Sequence, residues 1–185
     1  SRGASPRPIE DPKWFDNNSD IGWVRISDIS KTTKFLNQTV QKLSQEGVSH
    51  SRFVKKENLI MSICATLGKP ILTKLDTCIH DGFVVFNNLQ IDKEFLYYFL
   101  FFIEKDWSKS GQTGSQMNLN TELINSTTIL LPPTIKEQQA IVEILSDMDN
   151  EIETLKQKLS KTKAIKDGIM SELLTGKTRL KVKDE

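Results

Sequence analysis

Residues 136–175 read KEQQAIVEILSDMDNEIETLKQKLSKTKAIKDGIMSELLT, and this stretch decides the fold of the C-terminal part of the chain. Its apolar residues recur alternately four and three positions apart, which is the spacing of a coiled-coil helix. Thr134 is a suitable N-cap with Glu137 three residues later, and Gly176 is a suitable stop. The seam that we expect on one face consists of Ile141, Leu145, Met148, Ile152, Leu155, Leu159, Ile169 and Leu173.

The charges of this helix divide by sign along its length. Between residues 136 and 153, six acidic residues stand against the single base Lys136. Between residues 156 and 183, nine basic residues stand against Asp167 and Glu172. An antiparallel copy would set the acidic half against the basic half at both ends, whereas a parallel copy would place like charges together. The sequence therefore predicts an antiparallel homodimer through this helix.

The composition fits one globular domain followed by a helical appendage. Hydrophobic residues make up 37% of the 185 residues, which is enough for a core, and no apolar run reaches the length of a membrane span. The two cysteines are too few for a disulfide framework. We therefore expect a cytoplasmic protein with no membrane partner. We predict a recognition domain over residues 1–133, a long helix over 134–176 and a tail over 177–185.

Short apolar runs with β-branched and aromatic residues predict the strands of the first domain. These runs are residues 21–29, 59–65, 69–75 and 78–86, and residues 129–131 predict a final strand that the following prolines end. Residues 94–103 predict a helix whose aromatic rings are buried in the core, rather than a stacking surface for single-stranded nucleic acid. The predicted fold class is α+β, with a globular domain of short strands and a few helices before the long helix.

A series of short motifs follows one another along the chain. They are GASP at residues 3–6, WVRISDI at 23–29, IMSICATLGKPIL at 60–72, SGQTGSQMNLN at 110–120, LPPTIKEQQAIVEIL at 131–145 and LLTGKTRL at 173–180. In this order they resemble the specificity subunits of type I restriction-modification systems, over essentially the whole chain. Family members commonly carry two such units in tandem, whereas this sequence carries one. It is therefore either a half subunit or a piece of a longer chain.

The resemblance implies a non-catalytic subunit that reads one half of a bipartite DNA target. Separate modification subunits would methylate adenine with S-adenosylmethionine, and separate motor subunits would use ATP and Mg to translocate and cut DNA. This chain would bind no cofactor or metal itself. The sequence agrees, because it lacks an Asn-Pro-Pro-aromatic tetrapeptide and a Gly-rich phosphate loop. Cys64, Cys78 and His80 also lack the closely spaced pair that zinc sites use.

DNA reading needs amide, hydroxyl and guanidinium groups on exposed loops, with basic residues nearby for phosphates. The polar loop 109–118 and the basic residues near three turns offer these groups. At each place the alternative is an ordinary solvated surface with no DNA contact. The predicted DNA-binding residues are Arg2, Arg7, Lys13, Lys69, Lys74, Lys109, Gln112, Thr113, Gln116 and Asn118. Arg25 is expected to pair with Asp28 or another acid.

A second function class stays open at this point. Before Lys136 the chain has 15 basic and 14 acidic residues, whereas dedicated nucleic-acid binders usually have a clear basic excess. The alternative is a coiled-coil interaction module whose globular head binds protein rather than DNA. Salt-dependent binding to duplex DNA would separate the two classes.

The polar loop generates a first test. We expect Gln116→Ala and Asn118→Ala to weaken binding to the target duplex more than binding to an unrelated duplex, because amide side chains can bond base edges. Competition binding with both duplexes measures the ratio. Equal losses of affinity for both duplexes would mean that the loop contacts only phosphates or only supports the structure.

Overall fold

The computed structural model describes residues 1–30, 32–110 and 119–181. The chain divides into two compact units, Ser1–Gln139 and Ala140–Glu185. Within the described residues the strands are Gly22–Val24 (β1), Phe35–Leu36 (β2), Gln41–Lys42 (β3), Arg52–Val54 (β4), Leu59–Ser62 (β5), Pro70–Thr73 (β6), Thr77–Ile79 (β7) and Phe83–Val85 (β8). The α-helices are Ile26–Ser30 (α1), Gln45–Ser49 (α2), Lys93–Ser110 (α3), Thr121–Ser126 (α4) and Ile135–Leu174 (α5), and Pro12–Trp14 forms a 3₁₀ turn.

The strands of the first unit form two four-stranded sheets, with the orders β3-β1-β7-β4 and β2-β6-β5-β8. In the first sheet β1 runs parallel to β7, which places Trp23 opposite Cys78, and β3 and β4 are antiparallel edge strands. In the second sheet β2 is parallel to β6, while β5 runs antiparallel to both of its neighbours. The strands β7 and β8 follow each other in sequence but belong to different sheets. The turn between them therefore lies where the two sheets meet.

The core of the first unit covers both faces of the second sheet. Ile60 of β5 packs in one cluster with Phe83, and its neighbours Leu59 and Met61 pack in another cluster with Leu96 of α3. Successive residues of a strand point to opposite faces, so β5 is buried on both sides. This explains why Leu59, Ile60 and Met61 are all apolar instead of alternating with polar residues.

The α+β class is confirmed, but two predicted strands are wrong in extent. The run 21–29 ends as a strand at Val24 and continues as α1. There the Asp28 carboxylate accepts hydrogen bonds from the backbone N–H groups of Arg25 (2.8 Å) and Val40 (3.1 Å). These bonds to a side chain favour a turn over continued strand pairing. The run 78–86 is two strands, because residues 80–82 form the turn between the sheets.

A further predicted strand is wrong, whereas the helix predicted over residues 94–103 forms and leaves only some of its rings exposed. Residues 127–134 form no strand, and Leu130 is 89% exposed. The preceding segment is α4 instead, which Asn120 caps by accepting from the N–H of Leu123 at 2.7 Å. On α3, Tyr97 is buried, but Phe101 and Phe102 are exposed. An 18-residue helix packed on one sheet buries one face only, so the rings on the other face stay in solvent.

The long helix α5 forms where the sequence predicts it. Thr134 Oγ1 accepts from the N–H of Glu137 at 3.2 Å, and Gly176 adopts a φ of +73° with its N–H bonded to Leu173 O at 3.2 Å. In the single chain the middle of the seam is uncovered, since Leu155 and Leu159 are each 56% exposed. Across the described residues, no helix combines the length and the apolar character needed to span a bilayer.

Candidate nucleic-acid interface

The N-terminal segment lies against the turn between β7 and β8. Gly3 N donates to Phe83 O at 2.8 Å and Ala4 N donates to Ile79 O at 3.0 Å, so the segment bonds to both sheets. A Cβ on Gly3 would lie 2.0 Å from the carbonyl oxygen of His80. No larger residue fits at position 3 without moving backbone. Glycine at position 3 is therefore a requirement for this close docking.

This docking places three side chains on Asp81. Ser5 Oγ donates to Asp81 Oδ1 at 2.7 Å, Arg7 Nη2 lies 3.4 Å from Asp81 Oδ2, and Arg2 Nε donates to the Asp81 carbonyl at 2.7 Å. The Ser5 hydroxyl is the main reason that the pKa of Asp81 lies below its usual range, and the charge of Arg7 adds to the effect. Asp81 is therefore ionised at neutral pH.

His80 is the partly buried neighbour of this carboxylate. Gly82 N donates to His80 Nδ1 at 2.9 Å, so the neutral ring carries its proton on Nε2. Burial lowers the pKa of His80 and the charge of Arg25 lowers it further, against the opposing effect of Asp81. A neutral ring at physiological pH leaves the positive charge of this region to the arginines.

All four arginines of residues 1–139 lie around this turn. Arg2 and Arg7 contact Asp81, Arg52 Nε donates to Arg2 O at 3.2 Å, and Arg25 lines a cleft together with His80. Each of the four is exposed. We call Arg2, Arg7, Arg25 and Arg52 the arginine cluster. It concentrates guanidinium groups in a unit whose overall charge is close to neutral.

The cleft beside the cluster has a volume of about 330 Å³. It is lined by Ser5, Arg7, Ile9, Trp23, Arg25, His80 and Asp81. Arg25 Nη1 donates to Gln41 Oε1 at 2.8 Å, which holds one guanidinium in place across the β1–β3 ladder. The cleft thus presents fixed donors, a carboxylate and a hydroxyl to solvent. These are groups that can bond phosphates and base edges.

Of the predicted DNA-binding residues, Arg2 and Arg7 belong to the cluster, while three lysines contact other parts of the first unit. Lys13 forms ion pairs with two carboxylates. Lys74 pairs with Glu57 at 3.2 Å. Lys69 Nζ donates to Ile29 O at 2.7 Å, and burial lowers the pKa of its ammonium group.

The remaining predicted residues are those of the polar loop. Gln112, Thr113, Gln116 and Asn118 lie outside the described residues, as does the side chain of Lys109. Sequence reasoning missed Arg25 and Arg52 as members of the site. The guanidinium of Arg25 bonds Gln41, and it is the backbone N–H of Arg25 that bonds Asp28. One signal was available, since arginine rather than lysine recurs in the segments that converge on residue 80.

Comparisons with known proteins place this chain in a family. The family model for the type I restriction modification DNA specificity domain matches residues 5–164. This match covers most of the chain, so the chain belongs to that family.

Particular relatives agree with this placement. The chain is 35% identical over 102 residues to the type I restriction enzyme MjaVIII specificity subunit of Methanocaldococcus jannaschii, a match that covers 54% of this chain and 24% of the relative. The crystal structure of the HsdS subunit from Thermoanaerobacter tengcongensis has a TM-score of 0.66 at 17% identity and covers 92% of this chain and 41% of that one. A chain from a structure on complex assembly and conformational transition of the type I R-M system has a TM-score of 0.67 at 17% identity, over 93% and 42% of the two chains.

The chain spans only part of its relatives. Its matches cover between 24% and 31% of the length of the curated specificity subunits. The solved structures match over less than half of their length. These likenesses support the family and the fold of one recognition unit.

The Ser5–Asp81 contact generates a prediction on pH. Because the pKa of folded Asp81 is lowered, its contribution to stability is present above the unfolded pKa of about 3.9 and is lost as the pH falls through the folded value. Asp81→Asn should therefore lower the free energy of unfolding at pH 7, and the gap to wild type should close in acid. Urea unfolding at pH 7 and pH 3 measures it. Ser5→Ala combined with Asp81→Asn should cost less than the sum of the two single variants, because both remove the same hydrogen bond. A gap that does not change with pH would contradict the assignment.

Proposed function

We propose that this chain reads one half of a bipartite DNA target for a type I restriction-modification complex. The observation that carries the proposal is the arginine cluster on the β7–β8 turn. Guanidinium groups bond phosphates and base edges in a planar, bidentate geometry that lysine cannot reproduce. The cluster forms a local basic surface, although the net charge of the first unit is close to zero. Membership in the specificity family does not favour the alternative of a head that binds protein.

The chemistry of such a complex belongs to its other subunits. We infer that modification subunits bind S-adenosylmethionine and methylate adenine, and that motor subunits bind ATP and Mg and cut the DNA. This chain supplies recognition and scaffolding without catalysis. The basis is the family membership together with a candidate site that consists of binding groups on a turn.

The long helix supports a second part of the proposal, an antiparallel homodimer. Its seam is half exposed in the single chain, and its acidic and basic halves complement each other only when two copies run in opposite directions. A two-fold axis through the paired helices would present two identical heads. The target would then be palindromic, with a gap that the helices set.

DNA binding tests the function directly. Each phosphate contact that is lost should reduce the slope of log K against log salt by about 1. We therefore expect Arg2→Ala and Arg52→Ala each to lower the slope for the full chain on duplex DNA, measured by fluorescence anisotropy alone and with the modification subunits.

The matched control is Lys74→Ala, which removes the same charge from a side chain already paired with Glu57. The control should leave the slope unchanged. Binding that does not depend on salt in any of these proteins would contradict DNA reading. It would instead favour a head that recognises protein.

The seam generates a separate test of the homodimer. Leu155→Asp combined with Leu159→Asp should separate the helices, because it buries carboxylates at the centre of the apolar interface. Sedimentation equilibrium should give twice 21.1 kDa for the wild type and 21.1 kDa for the variant, with the head still folded by circular dichroism.

Gln157→Asp combined with Ser160→Asp is the control, since it adds the same charge to exposed positions off the seam. This control should remain a dimer. A seam variant that stays dimeric would place the interface elsewhere. A wild-type monomer would mean that a different helix covers the seam.

A further inference from the structure

We propose that Arg7 and Asp81 together read a single G·C base pair in the major groove, with Arg7 on guanine and Asp81 on cytosine. This inference rests on the proposed function, because it assumes that the first unit meets duplex DNA. It adds the identity of a base pair in the target and names the two side chains that choose it.

The two side chains are held next to each other and open to solvent. Arg7 Nη2 lies 3.4 Å from Asp81 Oδ2, and the side chains are 74% and 47% exposed. On the other side of the carboxylate, Ser5 Oγ donates to Asp81 Oδ1 at 2.7 Å. Ser5 is itself placed by the docking of Gly3 and Ala4 on the turn. Ser5 therefore fixes Oδ1 of the carboxylate, and Oδ2 lies beside the Arg7 guanidinium on a half-exposed side chain.

The order of hydrogen-bonding groups on this pair matches one base pair only. A guanidinium has five N–H donors, so one can bond Asp81 while two others point outward as a fork. With two of these donors on a base and the Asp81 carboxylate beside them, the pair would offer the order donor, donor, acceptor. In the major groove a G·C pair presents the acceptors N7 and O6 of guanine and then the N4 amino donor of cytosine. Each group of the protein pair meets its complement.

An A·T pair in the same place does not match. It presents N7 as acceptor, the N6 amino group as donor and O4 of thymine as acceptor. One N–H of Arg7 would then face a donor and the Asp81 carboxylate would face an acceptor. Buried polar groups without a partner are costly, so the mismatch should discriminate strongly. The lowered pKa of Asp81 keeps the carboxylate ionised, and thus an acceptor only, at neutral pH.

The neighbouring arginines have different geometry. Arg2 Nε bonds the Asp81 carbonyl and Arg52 Nε bonds the Arg2 carbonyl, so both support the backbone around the turn. Neither has a carboxylate beside its fork in these contacts. They are suited to phosphates, and Arg52 therefore serves as a matched control for Arg7.

The experiment is selection from a random duplex library with the full chain, alone and assembled with its modification subunits. We expect the wild-type motif to contain an invariant G·C pair. Arg7→Ala should reduce discrimination at that pair by about tenfold or more, since a bidentate contact contributes about 1–3 kcal/mol. Arg7→Lys should do the same while keeping the salt slope, because lysine retains the charge and loses the fork. Arg52→Ala should weaken all sequences alike and leave the motif intact.

The outcomes separate this inference from the proposed function. A motif without an invariant G·C pair, or one unchanged in Arg7→Ala and Arg7→Lys, overturns the base-pair assignment and leaves DNA reading standing. No enrichment of any motif overturns both. Asp81→Asn should relax the same position as Arg7→Lys. If that variant fails to fold, the two exposed Arg7 variants decide the question.

Discussion

The structure depends on the close approach of Gly3 to the carbonyl of His80. That contact leaves no room for a Cβ, and it lets the N-terminal segment bond to Ile79 of one sheet and Phe83 of the other. The same docking sets the Ser5 hydroxyl on Asp81 and carries Arg2 and Arg7 to the turn. One backbone constraint thus joins the two sheets and assembles the candidate DNA-reading surface. Its position at the meeting of two sheets gives the arginines a rigid support.

The second unit is subject to a different constraint, which is the burial of its apolar seam. A helix of 40 residues is about 60 Å long, and its apolar seam cannot be covered by the helix itself. The proposed antiparallel homodimer would satisfy both the exposed seam and the division of charge. Under the proposed function, recognition and spacing would then be separated along the sequence. The head would supply contacts to bases and phosphates, and the helix would set the distance between two heads.

Local signals in the sequence predicted the elements whose causes are local. The helix α5 has its period, its cap at Thr134 and its stop at Gly176 within reach of one another in sequence. The inner strand β5 begins with three consecutive apolar residues, Leu59 to Met61, because it is buried on both faces. By contrast, β2 and β3 are two residues long and carry no periodic signal. Arg25 and Arg52 were not predicted because the pairing of β7 with β1 and β4 brings them near residue 80, and no local pattern encodes that pairing.

The proposed function requires the turn between β7 and β8 to face DNA. Photo-crosslinking measures this, with a duplex that carries halogenated pyrimidines and with peptide mapping of the adducts on the full chain in its complex. We expect crosslinks in peptides that contain Arg7 or residues 80–82. Crosslinks confined to residues 140–174, with none in the first unit, would contradict it.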